Sequence, residues 1–215
     1  MIKIENLSFG FTDNKKLFTH FSCSLEKPAL YFLQGKNGTG KTTFFSIVQG
    51  NQSGKFLTGT LFCNKKTYQL GSIEHQVFAQ QAFTAVPQNF DEMLAPQFTF
   101  IQNLQFTSIG SRPTYRILRE AIEIPSLLKK YHIPLNQPVE TLSGGQRQIL
   151  SIIMAVQKPT QLLLLDEPTA ALDQQNAEMV MEFLQEFQQN NNLTILIICH
   201  DQELLRYSPV PPIKL

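Results

Sequence analysis

The chain has 215 residues, a formal net charge of +1, 42% hydrophobic residues and 16% charged residues. That length holds about one domain and buries a full core. Its 17 Phe and low net charge exclude disorder, and its balanced charges give no basic face for nucleic acid.

In chain order, residues 2–7 alternate apolar and polar side chains, the pattern of a half-buried strand. Residues 18–25 do the same, with Phe21, Cys23 and Leu25 on one face, and Asp13, Asn14, Lys15 and Lys16 read as the hairpin loop between them. The apolar run 29–33 suits a buried strand, and 42–48 has helical character. Residues 91–141 carry Pro96, Pro113, Pro125, Pro134 and Pro138 with short helical stretches such as 116–122, and are predicted to form a small helical insert. Residues 161–165 and 193–199 are continuous apolar runs, as in parallel strands covered on both faces. Between them Val180, Phe183, Leu184 and Phe187 fall at helical spacing, and Asn190, Asn191 and Asn192 end that helix. Pro209, Pro211 and Pro212 predict an irregular tail.

The alternation of strand and helix predicts an α/β fold with a mainly parallel sheet, preceded by an antiparallel β part. One domain is expected over 1–215: 1–90 and 142–215 form the core, and 91–141 the helical subdomain. The three cysteines, Cys23, Cys63 and Cys199, lack metal-ligand spacing and read as reduced thiols. No apolar run reaches the ~18 residues that cross a bilayer, and the first residues lack a signal-peptide core, so membrane association is expected only through a partner.

The sharpest motif is Gly35, Lys36, Asn37, Gly38, Thr39, Gly40, Lys41, Thr42, Thr43, which fits G-x-x-x-x-G-K-[ST]. Its glycines let backbone N–H groups turn toward a phosphate, and the following helix offers its N-terminus to the anion. Lys41 supplies a point charge for the β- and γ-phosphates, and Thr42 a hydroxyl for Mg²⁺. Downstream, the apolar run 162–165 ends in Asp166 and Glu167. Carboxylates closing a buried strand are costly unless used. Asp166 is placed to hold the Mg²⁺ shell, and Glu167 to orient or deprotonate a water. A third segment, Leu142, Ser143, Gly144, Gly145, Gln146, closes the helical insert.

Together these motifs resemble the ATP-binding cassette (ABC) ATPases, over nearly the whole chain. The resemblance implies a P-loop NTPase core and makes Leu142 to Gln146 the family's signature. Phe11 aligns with the aromatic that stacks on adenine, more often Tyr, with Phe9 the competing candidate. Gln88, after Val86 and Pro87, resembles the glutamine that reaches Mg²⁺ and senses the partner. Ala171, Leu172 and Asp173 resemble the loop named for its aspartate, and His200 the switch histidine at the γ-phosphate. His20, His75 and His132 match nothing and read as structural. The tail after His200 is shorter than in most family members, and no regulatory domain is expected after it.

The resemblance further implies a head-to-tail dimer, by default of identical chains, with two ATP and Mg²⁺. Each ATP would lie between one chain's phosphate loop and the other chain's Ser143, Gly144, Gly145 and Gln146. The expected partners are a second cassette, a transmembrane permease and, for uptake, an extracytoplasmic substrate-binding protein, with no nucleic acid. The expected location is the cytoplasmic face of the inner (plasma) membrane. Residues 98–106 are apolar enough either for subdomain core or for contact with that permease. Residues 88–96 resemble cassettes of amino-acid-type uptake systems. The other readings are a soluble cassette, as in iron–sulfur cluster assembly, and a nucleotide-gated module that barely hydrolyses. Glu167 and His200 argue against the last.

Overall fold

The computed structural model describes residues 1–12, 15–54, 56–109 and 126–215. Two sheets form. The first is antiparallel: β1 (Ile2–Thr12) pairs with β2 (Lys15–Leu25) on one side and β4 (Thr58–Cys63) on the other, and β4 pairs with β5 (Lys66–Gln69). The second is parallel, in the order β6 (Phe83–Val86), β7 (Leu162–Asp166), β8 (Thr194–Ile198), β3 (Leu30–Gln34) and β9 (Ile213–Lys214). The helices are α1 (Lys41–Val48), α2 (Ile73–Ala82), α3 (Phe100–Ile109), α4 (Gly144–Ala155) and α5 (Gln174–Asn191).

The parallel strands divide the core by parity. Leu30, Phe32, Leu163, Leu165, Ile195 and Ile197 join α4 and α5 in one apolar cluster. Tyr31, Leu33, Leu162, Leu164, Leu196 and Ile198 join α1 and the antiparallel sheet in the other. Burial on both faces explains why these strands read as unbroken apolar runs.

Among the described residues the expected strands of both sheets and the helices at 42–48 and 180–187 are present, most of them shifted by a residue or longer than predicted. In β2 the alternation is broken: Leu7 pairs with Phe21 and Phe9 with Phe18, so three residue steps along β2 oppose two along β1 in a bulge. His20 takes φ 52° there, and its N–H donates to Ser8 Oγ at 3.0 Å. The bulge turns both Phe18 and Phe21 onto Phe44 of α1, with ring centroids 6.3 and 5.6 Å away.

Asp173 caps α5 by accepting from Asn176 N–H, and Asn192 ends it in the left-handed conformation, φ 51°. The tail departs from the expectation of irregular structure. Pro211 and Pro212 are followed by β9, which adds an edge strand beside β3, a position where nearby proline is tolerated. β4, β5, α2 and β6 lie in a stretch for which the sequence makes no prediction.

Of the expected helical subdomain, α3 and short 3-10 turns at Phe90–Met93, Ser126–Lys129 and Val139–Thr141 are described, and the helical stretch expected at 116–122 lies outside the described residues. Buried Asn103 ties the loop before α3 to the helix: it accepts from Ala95 N–H at 2.7 Å and donates back to Ala95 O at 3.0 Å. The apolar run 98–106 divides. Phe100 and Leu104 enter the core, whereas Phe98 and Phe106 stay exposed and pack edge to face at 5.0 Å.

Candidate functional site

The site gathers at the C-terminal ends of the parallel strands, where open α/β sheets bind their ligands. β3 leads into the phosphate loop, β6 into Gln88, β7 into Asp166 and Glu167, and β8 into His200.

Gly40 begins α1 with φ 93°, a conformation only glycine adopts readily, and has no side chain to cap the helix. The first-turn N–H groups of α1 are therefore left for an anion. Lys41 is 7% exposed and folds back over the loop, where its Nζ donates to Gly35 O at 3.0 Å and Lys36 O at 3.2 Å. Thr39 Oγ1 donates to Lys36 O at 3.0 Å, closing the turn.

Thr42 Oγ1 donates to Asp166 Oδ2 at 3.1 Å. The structure thus brings the phosphate loop and the end of β7 together. Burial pushes the Asp166 carboxyl up; the Thr42 hydroxyl draws it back, Glu167 raises it further, and Lys41 and His200 lower it. Among the described residues no group of three or more His, Cys, Asp or Glu side chains could hold a metal. A hydroxyl beside one carboxylate instead fits Mg²⁺, which keeps waters and takes phosphate oxygens for most of its shell.

Glu167 takes φ 48°, a sparsely populated conformation for a non-glycine residue. Its N–H donates to Ile198 O at 3.1 Å, which ties it to the end of β8. Its carboxylate is held from two sides: Gln88 Nε2 donates to Oε2 at 3.1 Å, and His200 Nε2 lies 3.0 Å from Oε1. The three residues come from three strand ends, so one carboxylate joins all of them. A cleft of about 580 Å³ opens on the α5 side of Glu167 and His200, bordered by Thr169, Leu172, Glu178, Cys199 and Arg206.

The two candidate aromatics separate cleanly. Phe9 is 6% exposed and belongs to the core, whereas Phe11 is 58% exposed and touches Phe9 edge to face at 5.2 Å. Phe11 is the ring free to take a ligand.

Ser143, Gly144, Gly145 and Gln146 form the start of α4. Ser143 Oγ accepts from Gln146 N–H at 3.2 Å, and Gln146 Oε1 accepts from Ser143 N–H at 3.1 Å, a reciprocal capping box. No hydrogen bond among the described residues joins this segment to the phosphate loop. Asp173 caps α5 and is held below the usual carboxylate range by the N–H and side-chain amide of Asn176. Two residues the sequence did not single out also bear on the site. Asn176 accepts from Ser143 Oγ at 3.0 Å, and Arg147 pairs with Asp91 at 3.0 Å and donates to Leu142 O at 3.2 Å. The turn after Asp173 is a sequence signal for Asn176, as a polar side chain three residues past an N-cap; nothing local marks the Arg147 pair.

A phosphate loop feeding a helix, on a parallel sheet with an acidic strand end beside it, defines a nucleotide-binding α/β protein of the P-loop class. Residues 18–170 match the ABC transporter family, and the chain belongs to that family as a nucleotide-binding cassette. It is 32% identical over 212 residues to a tyrosine transport ATP-binding protein of Clostridioides difficile, covering 94% of this chain and 82% of the relative. It is 28% identical over 211 residues to the lipoprotein-releasing system ATP-binding protein LolD of Buchnera aphidicola, covering 95% and 90%. An ABC transporter ATP-binding protein of Photobacterium profundum is 29% identical over 208 residues, 95% of this chain but 35% of that protein. The chain thus spans about a third of the length of several relatives.

Among solved structures, cbiO1 of Clostridium perfringens, part of the ABC transporter complex cbiONQ, superposes with a TM-score of 0.80 at 24% identity, covering 96% of this chain and 81% of that one. The ADP- and Pi-bound dimeric cassette MJ0796 does so with 0.68 at 21%, covering 97% and 91%. Both likenesses concern the fold.

Proposed function

We propose that this chain is the ATP-hydrolysing subunit of a membrane transporter that drives substrate uptake. The observation that carries the reading is Glu167, held in a left-handed backbone between Gln88 and His200, beside the Thr42–Asp166 pair. Its carboxylate orients a water toward the γ-phosphate and takes its proton as attack proceeds. Lys41 releases its loop carbonyls and donates to the β- and γ-phosphates. His200 donates to the γ-phosphate, and the N–H groups of the loop and of α1 hold the remaining oxygens. Phe11 stacks on adenine. Thr42, Asp166 and Gln88 would hold Mg²⁺, which would neutralise charge on the phosphate oxygens.

Ser143, Gly144, Gly145 and Gln146, with Asp173, face the ATP of a second, identical chain in a head-to-tail dimer. No hydrogen bond among the described residues joins them to this chain's own phosphate loop, which agrees with that assignment. Its likeness to ATP-binding subunits of transporters supports a transmembrane permease as the partner that receives the cassette at the cytoplasmic face of the inner membrane; no helix of the described residues is itself long and apolar enough to cross a membrane. The exposed Phe98–Phe106 pair is part of that contact, and an extracytoplasmic substrate-binding protein delivers the cargo. The test is co-purification of tagged Glu167→Gln with ATP from gently solubilised source cells. A multi-span membrane protein is expected; soluble assembly factors alone would overturn the transport reading.

A further inference from the structure

Asn176 sits in the first turn of α5, between the loop that ends in Asp173 and the start of α4. Its N–H donates to Asp173 Oδ1 at 2.8 Å, and its side-chain Nδ2 donates to Asp173 Oδ2 at 2.7 Å. A carboxylate only accepts, so the Asn176 amide turns its NH₂ to Asp173 and its oxygen to Ser143. Ser143 Oγ, 3.0 Å from that oxygen, is therefore the donor. The other face of the same hydroxyl already accepts the Gln146 N–H. A serine hydroxyl has one hydrogen, and in the single chain it is directed at Asn176.

Gly145 keeps this contact close. A Cβ there would lie 2.8 Å from Asn176 Oδ1 and 3.2 Å from Asn176 Cβ, so a side chain at 145 would push the amide out of its place beside Ser143.

We infer that Asn176 is a positioning residue that holds the Ser143 hydroxyl hydrogen away from the nucleotide until a second chain presents its γ-phosphate, when the hydroxyl rotates and exchanges its acceptor, Asn176 Oδ1, for a phosphate oxygen. This rests on the reading of Ser143 as a contact to the partner chain's ATP. The exchange ties signature engagement to the Asp173 loop, because Asp173 is what fixes the amide's orientation. Asn176 thereby raises the nucleotide concentration needed to close the dimer.

The test is Asn176→Ala in the Glu167→Gln background, with ATP-dependent self-association followed by sedimentation velocity. The substitution keeps the backbone N–H that Asp173 accepts, so the α5 cap survives. Asn176→Ala is expected to lower the ATP concentration for half-maximal association about fivefold, the worth of one neutral hydrogen bond. In a Ser143→Ala background the same substitution is expected to change nothing, since no hydroxyl remains to be held. A residue with only a structural role would shift both backgrounds alike, and an equal shift, or none in the first, overturns the proposal. If the chain does not self-associate with ATP, or Ser143→Ala alone leaves association unchanged, the composite-site reading fails and the proposal with it.

Discussion

Replacing Gly40 with alanine strikes the fold and the phosphate loop together. The new methyl would occupy a backbone at φ 93°, 2.6 Å from Leu17 Cδ2 and 2.9 Å from Phe18 Cζ. An L side chain in the left-handed region costs about 1–2 kcal/mol. Overpacking adds about 1–3 kcal/mol, toward the lower part of that range because half-buried Leu17 can give way, while Phe18 is 4% exposed against Phe44 and cannot. The expected loss is about 2–4 kcal/mol. With a urea dependence of about 2 kcal/mol per molar, the unfolding midpoint falls by about 1–2 M. The chain has no tryptophan, so far-UV circular dichroism is the suitable probe. The same displacement tilts the first turn of α1, and titration with a fluorescent ATP analogue should show weakened binding at urea concentrations where the variant is still folded. An unmoved midpoint would refute the steric argument. A lowered midpoint with wild-type ATP affinity would refute the role of the α1 N-terminus as the phosphate cradle.

Lys41→Ala removes a charged donor from the phosphate site and should weaken ATP binding by at least about tenfold, read in the same titration; unchanged affinity would contradict the phosphate-loop assignment. Phe11→Ala should lose about 1–3 kcal/mol of nucleotide affinity, the worth of a base–aromatic stack, with no change in unfolding midpoint, whereas Phe9→Ala should lose about 3–5 kcal/mol of stability. The reverse pattern would exchange the two roles. His75 is fully buried, its Nδ1 accepts from Gly71 N–H at 3.2 Å, and burial lowers its pKa below the ordinary 6.5. The unfolded chain therefore takes up a proton below about pH 6.5 that the folded chain refuses, so stability holds above that pH and falls below it by up to about 1.4 kcal/mol per unit. Urea midpoints at pH 7.5 and 5.5 should differ more for wild type than for His75→Gln, and equal differences would assign the acid sensitivity elsewhere.

Much of this site is legible in the sequence because its parts are contiguous. The phosphate loop, the Asp166–Glu167 pair and the Ser143 turn are short segments with fixed internal spacing, and the parallel strands show as apolar runs because both faces are covered. The bulge at His20 is only faintly legible: Phe21, Cys23 and Leu25 alternate and Phe18 falls out of phase with them, but it is the packing of Phe18 and Phe21 on one ring of α1 that requires the slip. β9 is hidden by the prolines before it, since two residues of edge pairing leave no periodic signal. The stretch holding β4, β5, α2 and β6 mixes polar residues into short elements whose pairing is decided by tertiary contact. The split of residues 98–106 into core and surface likewise depends on how α3 is rotated. The Gln88–Glu167–His200 contact is foreseen as roles for each residue, but their meeting at one carboxylate needs the strand order β6, β7, β8.

The central claim is that Glu167 handles the attacking water. The direct measurement compares steady-state ATP turnover and retained nucleotide for the wild-type chain and Glu167→Gln. The amide keeps the size of the side chain and can still meet Gln88 and His200, but it cannot take a proton. Turnover is predicted to fall by at least about 100-fold, with unhydrolysed ATP retained on an associated form of the chain. Wild-type turnover in Glu167→Gln would contradict the account and move the chemistry to another residue.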